Sequence, residues 1–350
     1  MLLPRLTAAP SLDGRFYAAA WRHLLTELGG LSAAGFARSG VLQLALTAED
    51  ASRLATIAAS GIVSALRHVS PAEASEIAGV AVPHSALYLP DGGWVDPRRL
   101  CAALAAGAAF IFNADVAALR HDGLWKVEDT RGDVIAEGEI VILANALGAT
   151  RFTQTSGLHV LARRGQITLV APTAASARLQ TVLSYGGYIT PAHDGVHNIG
   201  ATFDEVDAGS AVDIPAVRTQ DHSRNLEMLA RVLPALGSGW EETQVKGRAA
   251  FRCTTIDHMP VAGPVPDSAA FGRDYAELAR GHPWARYPDA TYHPGLYTLT
   301  GLGSRGMVSA PLAAEVLAAE ICGEPSPLER DLVTALHPAR FLVRDLKHGK

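Results

Sequence analysis

The stretch Gly295-Leu-Tyr-Thr-Leu-Thr300, followed directly by Gly301-Leu-Gly-Ser-Arg-Gly306, constrains the fold of this chain more than any other. The first six residues predict a β-strand, the next six have the spacing G-x-G-x-x-G, and an Ala-rich helix is predicted from there to Ile321. Glycines in such a turn let the backbone approach a ligand, and the first N–H groups of the helix stabilise negative charge. The pattern therefore predicts a strand–turn–helix unit that faces a bound anion or a ring on which charge develops.

Other interpretations of this turn also have to be weighed. A dinucleotide fingerprint opens a βαβ unit and has an acidic residue about 20 positions further on, at the end of a second strand. Here Glu320 and Glu324 lie at the helix end, and two prolines follow instead of a strand. The hydrolase pattern G-x-S-x-G is not matched around Ser304, because Leu302 occupies the position of its first glycine. A tight turn without any ligand stays open as the structural alternative.

Composition sets the broad class of protein. The chain has 350 residues, 48% apolar and 19% charged, with a net charge of −5, which predicts a globular protein of roughly two domains. The longest uncharged apolar run, residues 100–112, is shorter than the ~18 residues that a membrane helix needs. No signal peptide is recognised, so we expect a cytoplasmic protein without a membrane partner. The acidic balance argues against a dedicated nucleic-acid-binding module.

Neither a disulfide framework nor a metal site is expected. The cysteines, Cys101, Cys253 and Cys322, are odd in number, widely spaced and lack any C-x-x-C pattern. The 13 histidines are scattered, and none has metal-ligand spacing to another histidine or to a carboxylate. Of the histidines, His258 is the one in the stretch Asp257–Gly263, and we interpret it as structural.

Helix and strand signals interleave along the chain. Ser70-Pro71-Ala-Glu73 is a capping box that predicts a helix ending at Gly79, and Asp96-Pro97 begins another that runs to about residue 106. Strands are then predicted at 110–116, at 124–127 with 134–136 as a hairpin, and at 139–144 as a fully buried strand. The middle of the chain predicts strands at 166–170, 181–190, 196–201 and 243–253, with a helix over 216–233. This mixture favours a mixed α/β fold whose domains are discontinuous in sequence.

The glycine turn and four further stretches together resemble the D-amino-acid-oxidase-like flavoproteins, the family that includes glycine oxidases. In that family the corresponding turn and helix face the pyrimidine ring of the flavin. The other four stretches are Trp94-Val-Asp-Pro97, Ile140-Val-Ile-Leu-Ala-Asn-Ala146, Arg164-Gly-Gln-Ile167, and Gly247-Arg-Ala-Ala-Phe-Arg252 through Asp257-His-Met-Pro-Val-Ala-Gly263. Each stretch is of moderate specificity, but their order and spacing together are highly specific.

The resemblance implies a two-subdomain D-amino-acid-oxidase-like fold. Its FAD-binding subdomain would comprise residues 1–34, 94–150 and 251–350, and its β-rich substrate domain residues 35–93 and 151–250. The family begins with a βαβ unit whose own G-x-G-x-x-G holds the FAD pyrophosphate, and no such unit is found in this sequence. The resemblance therefore implies an N-terminally incomplete FAD-binding subdomain, as in a fragment or in a chain that binds FAD poorly.

One branch of the family is similar over essentially the whole chain. It is the oxidoreductase module of bacterial bifunctional proteins that modify the wobble uridine of tRNA. The stretches that carry this likeness are Leu3-Pro-Arg-Leu6, Phe16-Tyr-Ala-Ala-Ala20, Glu73-Ala-Ser-Glu-Ile-Ala-Gly79, Gly187-Tyr-Ile189, Gly200-Ala-Thr-Phe-Asp204, 247–253 and 301–306. The methyltransferase module of those proteins is not found here, so it would be a partner in a longer parent protein.

The implied reaction is FAD-dependent oxidation of a secondary amine. In the tRNA branch, 5-carboxymethylaminomethyl-(2-thio)uridine at position 34 loses its carboxymethyl group as glyoxylate. A hydride passes to flavin N5 and the resulting imine is hydrolysed, so no side chain is assigned as the catalytic group. Two alternatives remain open: a glycine- or sarcosine-type oxidase of free amines, and a catalytically silent fragment without FAD.

The resemblance also assigns site residues. Arg252 is the first choice for binding the substrate carboxylate in a bidentate contact, with Tyr188 and Arg305 as further substrate contacts. A structural ion pair for Arg252 and simple packing for Tyr188 are the alternatives. The expected cofactor contacts are Val116, Ala144, Asn145, Ala146, Gly301, Gly303, Ser304, Arg305, Gly306 and Met307.

Overall fold

The structure, a computed structural model, describes residues 1–207, 214–241, 245–281 and 285–349. In these ranges the α-helices are α1 (Leu12–Gly30), α2 (Ala48–Ala59), α3 (Pro71–Ala78), α4 (Pro97–Leu104), α5 (Thr219–Val232), α6 (Ser268–Asp274), α7 (Gly306–Cys322), α8 (Arg330–Leu336) and α9 (Arg340–Lys347). None of these helices is long and apolar enough to cross a membrane.

The same ranges contain short strands and a few long ones. They are β1 (Phe36–Ala37), β2 (Val41–Leu44), β3 (Arg67–Val69), β4 (Ala86–Leu89), β5 (Trp94–Val95), β6 (Val116–Asp122), β7 (Leu124–Asp129), β8 (Val134–Gly138), β9 (Val141–Leu143), β10 (Leu161–Val170), β11 (Val182–Ser184), β12 (Tyr188–Ile189), β13 (His197–Gly200), β14 (Asp204–Val206), β15 (Lys246–Thr254), β16 (Val261–Pro266) and β17 (Tyr292–Thr300).

Contacts between residues divide the chain into two compact units, and both are discontinuous in sequence. The first unit comprises Met1–Ala106, Ala162–Phe251 and Arg305–Ser309, and the second comprises Gly107–Leu161, Arg252–Ser304 and Ala310–Lys350. Residues 1–34 thus belong to the same compact unit as 35–93. Because the units are defined by contacts, the division into FAD-binding and substrate domains stays a prediction.

The first unit is built on a large, mostly antiparallel sheet. Its strand order is β14-β10-β13-β12-β11-β2-β4-β3, and β15 also pairs with β10. The β11–β2 pair is parallel, whereas the other pairs with a described register in this sheet are antiparallel. Leu183, Ile189 and Ile199 on the sheet and Leu229 on α5 are completely buried in one apolar core. Burial of such side chains stabilises each by about 1.5–3 kcal/mol, so this core holds the unit together.

The second unit contains two three-stranded sheets. In the order β16-β17-β9, β16 and β17 are antiparallel while β17 and β9 are parallel, and β6-β7-β8 form an antiparallel meander. Trp125 of the meander is 1% exposed, and its indole N–H donates to the Pro294 carbonyl oxygen at 2.8 Å. Together with Leu143 and Leu296 it forms an apolar core between the two sheets.

The predicted helix starts are confirmed at two positions. Ser70 caps α3 by accepting a hydrogen bond from the Glu73 N–H at 3.3 Å, and Gly79 ends the helix in the left-handed conformation with φ 70°. Asp96 caps α4 by accepting from the Arg98 N–H at 2.9 Å. Local capping chemistry therefore sets these helix ends, as the sequence pattern predicts.

The predicted strand over 110–116 is wrong. No described strand includes residues 110–115, and β6 begins only at Val116. Phe110, Ile111 and Phe112 are 59%, 65% and 77% exposed, and the two phenyl rings stack on each other at 5.5 Å. An apolar, β-branched pattern forms a strand only where a neighbouring strand accepts its hydrogen bonds, and no described strand pairs with these residues.

The predicted strands at 139–144 and 181–190 are corrected in extent. The first contracts to β9 and is not fully buried, since Ile140 and Ile142 are 46% and 47% exposed at the edge of its sheet. The second divides into β11 and β12, which pair antiparallel around a turn in which Gly186 has φ 92°. Only glycine adopts that backbone conformation without strain, so the chain reverses there.

Candidate functional site

The glycine turn lies between β17 and α7, as predicted. Gly301 and Gly303 both have left-handed backbones, with φ 67° and 61°. A Cβ atom added at Gly301 would lie 2.7 Å from Thr255 Cγ2, so side chains are excluded there by both conformation and space. The Gly303 N–H donates to the Cys253 carbonyl oxygen at 2.8 Å, which ties the turn to the end of β15. The turn therefore has a left-handed backbone at two positions where glycine is favoured over other residues.

The carboxyl ends of the parallel strands β9 and β17 meet at this turn. Thr298 is in register with Leu143, and Thr300 Oγ1 donates to the Ala146 carbonyl oxygen at 3.0 Å. Ala146 has a left-handed backbone with φ 54°, an uncommon conformation for a residue with a side chain. The predicted stretch 144–146 and the predicted Gly301 thus lie together at one sheet edge, where open α/β sheets bind ligands.

Val116 is the first residue of β6. It is half-buried and packs against the apolar core of the second unit that contains Trp125. Its neighbour Asp115 has Oδ1 3.3 Å from Arg151 Nη1, which connects the start of β6 with the short helical segment that begins at Ala146. The adenine-side backbone contact assigned to Val116 stays a prediction.

Arg252 lies on β15, directly before Cys253, whose carbonyl oxygen accepts the hydrogen bond from the Gly303 N–H. The side chain of Cys253 is buried with Sγ 3.3 Å from Thr300 Oγ1, and burial raises the pKa of its thiol, although its hydrogen bonds act in the opposite direction. Because side chains alternate along a strand, Arg252 points to the opposite face of β15 from Cys253. Arg252 is half-buried and is not a solvent-exposed surface arginine.

Arg305 lies in the first unit within a cluster that also contains Tyr17 and Arg5. Tyr17 is 4% exposed, and its hydroxyl is hydrogen-bonded to the side chain of Ser309 in the first turn of α7. Arg5 Nε lies 2.5 Å from Asp13 Oδ2. Burial lowers the pKa of Arg305, nearby Tyr17 opposes this shift, and Arg5 reinforces it. The cluster thus places Arg305 beside a buried tyrosine and a second arginine, whose described acidic partner is Asp13.

The roles of Tyr17 and Arg5 were not predicted. Both lie in stretches used above only to show similarity to one branch of the family. A signal that could have singled them out is the occurrence of an arginine and an aromatic hydroxyl in two stretches, 3–6 and 16–20, that resemble one branch of the family. Their contact with residues 305–309, almost 300 positions later in the sequence, could not be deduced from spacing.

Tyr188 occupies the sheet face opposite α5. A Cβ atom added at the preceding Gly187 would lie 3.2 Å from Met228 Sδ of α5, so position 187 faces the helix. Alternation along β12 places Tyr188 on the other face, where its ring lies 3.4 Å from the position of a Cβ added at Gly200. Tyr188 is half-buried, which fits either packing or a substrate contact, and its role stays a prediction.

His258 and its surroundings have a structural arrangement. Burial tends to raise the pKa of Asp257, but Arg340, with Nε 2.8 Å from Oδ2 and Nη2 3.0 Å from Oδ1, lowers it overall together with hydrogen bonds from Met259 and Thr255. The His258 N–H donates to the Thr255 carbonyl oxygen at 3.3 Å. Among the described residues no group of three histidine, cysteine or acidic side chains could hold a metal ion.

The residues at the glycine turn fit the ring end of a flavin. Among the described residues, the nearest neighbour of a Cβ added at Gly303 would be Thr254 Cγ2 at 3.8 Å, so the turn can be approached closely on that side. The first N–H groups of α7 have no acceptor within the helix and present the positive end of its dipole. A ring that accumulates negative charge on reduction could be approached by residues 301–304 and by the stretch 144–146, which lie in the same compact unit. The cofactor contacts assigned to Arg305, Gly306 and Met307 stay predictions.

Comparison with curated proteins finds relatives over nearly the whole chain. It is 38% identical over 357 residues to the tRNA 5-methylaminomethyl-2-thiouridine biosynthesis bifunctional protein MnmC of Methylobacillus flagellatus, covering 99% of this chain and 53% of that protein. The MnmC protein of an Azoarcus species is 40% identical over 349 residues, covering 97% and 51%. The chain therefore spans about half the length of the curated relatives it matches.

Solved structures show the same fold. Glycine oxidase from Geobacillus kaustophilus has a TM-score of 0.70 at 22% identity, covering 95% of this chain and 84% of that one. Iminodiacetate oxidase from Chelativorans has a TM-score of 0.69 at 22% identity, covering 96% and 89%. These likenesses confirm the mixed α/β, D-amino-acid-oxidase-like fold. The family model described as FAD dependent oxidoreductase (DAO) matches residues 5–320, and the chain therefore belongs to this family of FAD-dependent oxidoreductases.

Proposed function

We propose that this chain oxidises the carboxymethylaminomethyl group of 5-carboxymethylaminomethyl-(2-thio)uridine at position 34 of tRNA and releases glyoxylate in the cytoplasm. The observation that carries the proposal is the identity of 38–40% across nearly the whole chain to bifunctional proteins of 5-methylaminomethyl-2-thiouridine biosynthesis. The solved oxidases of similar fold are only 22% identical, so they support the fold and not the substrate.

The reaction balances as a two-electron oxidation followed by hydrolysis. When bound, FAD would supply the two-electron oxidation: a hydride, which carries both electrons, leaves the methylene carbon between the amine nitrogen and the carboxylate, and the amine nitrogen loses its proton. The secondary amine thereby becomes an imine, and water adds across its C=N bond. The C–N bond then breaks, which leaves an aminomethyl group on the uridine and releases glyoxylate. A methyl-transfer reaction would consume that primary amine, so a methyltransferase module is the expected partner.

The side chains of this protein would orient the substrate and exclude other geometries. Arg252 is proposed to bind the carboxylate through a bidentate contact, which fixes both the charge and the angle of the reacting methylene group. Arg305 is proposed as a second contact, because a half-buried guanidinium that forms no ion pair with a described acidic side chain would be stabilised by a bound anion. Tyr188 is proposed as a hydrogen-bond donor to the same carboxylate.

The test measures chemistry on tRNA directly. Purified protein supplied with FAD would be incubated with tRNA carrying the carboxymethylaminomethyl group, and nucleosides and glyoxylate would be quantified by mass spectrometry. We expect equal amounts of aminomethyl nucleoside and glyoxylate, and no turnover of free glycine, sarcosine or iminodiacetate. Turnover of the free amines with the tRNA left unchanged would contradict the proposal.

The role of Arg252 has its own test. Replacing Arg252 by Ala should lower kcat/KM for the tRNA about tenfold to a hundredfold, since a charged hydrogen bond contributes about 1.5–3 kcal/mol. Arg248→Ala, which removes an exposed arginine from the same strand, is the matched control and should leave kcat/KM unchanged. FAD affinity, measured by quenching of flavin fluorescence, should be equal in both variants. An equal loss of FAD affinity and of turnover on Arg252→Ala would refute the carboxylate role.

A second candidate function is oxidation of a free carboxymethyl amine. It is the free-amine alternative that the sequence analysis leaves open, and the glycine oxidase and iminodiacetate oxidase that share the architecture over 95% and 96% of this chain show that the fold is compatible with it. The free-amine arm of the same assay separates the two functions. Failure of the protein to retain any flavin after gel filtration would favour the third possibility, a catalytically silent chain.

A further inference from the structure

Helix α9 is tied to the loop that follows β15, residues 255–259. Arg340, the first residue of α9, donates to Asp257 Oδ2 through Nε at 2.8 Å and to Oδ1 through Nη2 at 3.0 Å. The same Nη2 donates to the Met259 carbonyl oxygen at 2.9 Å. The Arg340 side chain is only 12% exposed, so this bidentate pair is largely shielded from water, unlike an ion pair between two exposed side chains.

The loop 255–259 connects this ion pair to the glycine turn. Asp257 Oδ1 accepts a hydrogen bond from the Met259 N–H at 3.1 Å, and Thr255 Oγ1 donates to the Met259 carbonyl oxygen at 2.7 Å. Thr255 Cγ2 lies 2.7 Å from the position of a Cβ added at Gly301, so this threonine packs against that glycine. Consecutive contacts within one loop therefore connect Arg340 to Gly301.

Helix α9 also holds a second segment, residues 159–161, through His159. The ring of Phe341, which is 3% exposed, stacks on the His159 ring with the centroids 5.5 Å apart. His159 Nε2 lies 3.2 Å from Asp345 Oδ2, one turn further along the helix. The Arg340 guanidinium lies 4.2 Å from the centroid of the Phe341 ring, so the two side chains through which α9 makes these connections contact each other.

The segment 159–161 leads to the other left-handed glycine of the turn. The Leu161 carbonyl oxygen accepts a hydrogen bond from Thr254 Oγ1 at 3.1 Å. Thr254 Cγ2 is the nearest described neighbour of a Cβ added at Gly303, at 3.8 Å. The two sets of contacts that begin at α9 thus end at adjacent residues, Thr254 and Thr255, and these lie against the two glycines of the turn.

The glycine turn depends on such support. Glycine has more backbone freedom than any other residue, so neighbouring groups have to hold Gly301 and Gly303 at φ 67° and 61°. Residues that bind a ligand must be kept within about 0.5 Å of the productive geometry, and surrounding packing and hydrogen bonds do this. Arg340 acts on the turn through other residues, so its role is to position and not to bind.

We propose that α9 positions the glycine turn for the flavin ring, with Arg340 as the positioning residue that acts through Asp257 and Thr255. Loss of the Arg340–Asp257 pair releases the loop 255–259. Gly301 and Gly303 then leave the left-handed conformation part of the time, and FAD binds less tightly. The proposal goes beyond the proposed reaction on tRNA and does not depend on it, because turn conformation and FAD affinity are measured without substrate.

The experiment compares Arg340→Ala with the unaltered chain by amide hydrogen exchange in the absence of cofactor. The Gly303 N–H, which donates to the Cys253 carbonyl oxygen, reports on the turn, and the amides of the central meander strand β7 report on the rest of the unit. We expect exchange at Gly303 to become at least about tenfold faster while β7 is unchanged. The Kd for added FAD, measured by quenching of flavin fluorescence, should rise about twofold to thirtyfold.

Matched variants test whether the pair acts as one connection. Arg131→Ala also removes an arginine that binds one aspartate, Asp129, through Nε and Nη2, but this arginine is 76% exposed in the meander. It should change neither Gly303 exchange nor FAD affinity. Asp257→Asn keeps the shape of the side chain and removes its charge, and it should accelerate Gly303 exchange in the same direction as Arg340→Ala. The double variant should show little more effect than Arg340→Ala alone.

Four results would overturn the proposal. Unchanged exchange at Gly303 in Arg340→Ala would show that the turn is held without α9. Equal acceleration at Gly303 and in β7 would show a general loss of stability instead of a local one. Faster exchange with unaltered FAD affinity would separate the turn from flavin binding. Fully additive effects of Arg340→Ala and Asp257→Asn would show that the two residues act independently.

Discussion

Strands β10 and β9 are both predicted from short apolar runs in the sequence, but in the structure β10 is longer than its run and β9 is shorter. The run at 166–170 grows into the ten-residue β10, which pairs with β13, β14 and β15. The run at 139–144 contracts to the three residues of β9, which pairs with β17 alone. Strand length thus follows the supply of neighbouring strands more than the apolar content of the segment.

The interior of β10 adds a polar contrast. Arg164, Gln166 and Thr168 are buried on the face that α5 covers, at 3%, 0% and 0% exposure. Arg164 forms an ion pair with Asp221 of α5 and donates to Gln166 Oε1 at 3.0 Å. A central strand can contain buried polar side chains because the neighbouring helix and strands form hydrogen bonds with them. In the edge strand β9, by contrast, even Ile142 is about half exposed to water.

The largest effect is expected from breaking the buried ion pair on β10. Asp221→Ala leaves the Arg164 charge buried beside α5, and should lower the free energy of unfolding by about 3–5 kcal/mol. Asp204→Ala, which removes one of the two acidic partners of the exposed Arg224 and leaves Asp221 in place, is the control and should cost at most about 1 kcal/mol. Urea denaturation of the two variants measures both. Equal losses would show that the β10 pair is not effectively buried.

A direct comparison of the two sheets comes from two isoleucines. Ile199 of β13 is 0% exposed and pairs beside β10, so Ile199→Ala should lower the free energy of unfolding by about 2–5 kcal/mol. Ile142→Ala on β9 should change it by less than about 0.5 kcal/mol, because the side chain is half exposed. The same urea denaturation applies. A large loss at Ile142 would mean that the outer face of β9 is covered in solution.

Acid should weaken the second unit through His337. Burial, reinforced by Arg340, lowers the pKa of His337 to about 4, and its Nδ1 accepts a hydrogen bond from the Ala339 N–H at 3.1 Å. The unfolded chain binds a proton near its ordinary value of about 6.5. Below that pH the unfolded state gains a proton that the folded state does not, so stability falls down to about pH 4, by up to about 3 kcal/mol.

The pH effect is measured with a variant that cannot titrate. His337→Asn should show a smaller loss of stability than the unaltered protein when thermal unfolding is compared at pH 7 and pH 5. At low pH the amides of β17 should be the first to exchange faster, because the ring centroids of Tyr292 in β17 and His337 are 5.6 Å apart. Identical pH dependence in the two proteins would assign the effect to other groups.

The smallest of these stability effects is expected at the glycine turn, where β9 and β17 end together. Gly301→Ala forces a left-handed conformation on a residue with a side chain, at a cost of about 1–2 kcal/mol, and brings its Cβ against Thr255. The matched control Gly272→Ala, in α6, has no atom within 4 Å of the added Cβ and should be neutral or stabilising. Thermal unfolding distinguishes the variants, and flavin binding should be weakened in Gly301→Ala only.

Local signals predicted the helix ends and the glycine turn well. Ser70 and Gly79 delimit α3 and Asp96 begins α4, because a cap depends on atoms within a few residues of one another. The turn at 301–306 lies between a strand and a helix for the same reason. The proximity of Ala146 to Gly301 was predicted only through resemblance, since it depends on two strands that are about 150 residues apart in sequence.

Other features depended on contacts that no local pattern contains. The strand pattern at 110–116 failed because nothing pairs with its first residues, and the Tyr17–Ser309 contact joins the two ends of the sequence. The substrate roles of Arg252, Arg305 and Tyr188 rest on resemblance. They stay predictions until the variants are measured.

The amino-acid sequence alone was sufficient for the family, the FAD chemistry and the strand–turn–helix unit, because the order of the motifs and the positions of the glycines that permit a left-handed turn are properties of the linear chain. Tertiary structure was needed to show which apolar segments are covered and which arginines are buried. Burial and strand pairing depend on neighbours that folding brings together. A segment such as 139–144 has the same amino-acid sequence whether or not a partner strand lies beside it.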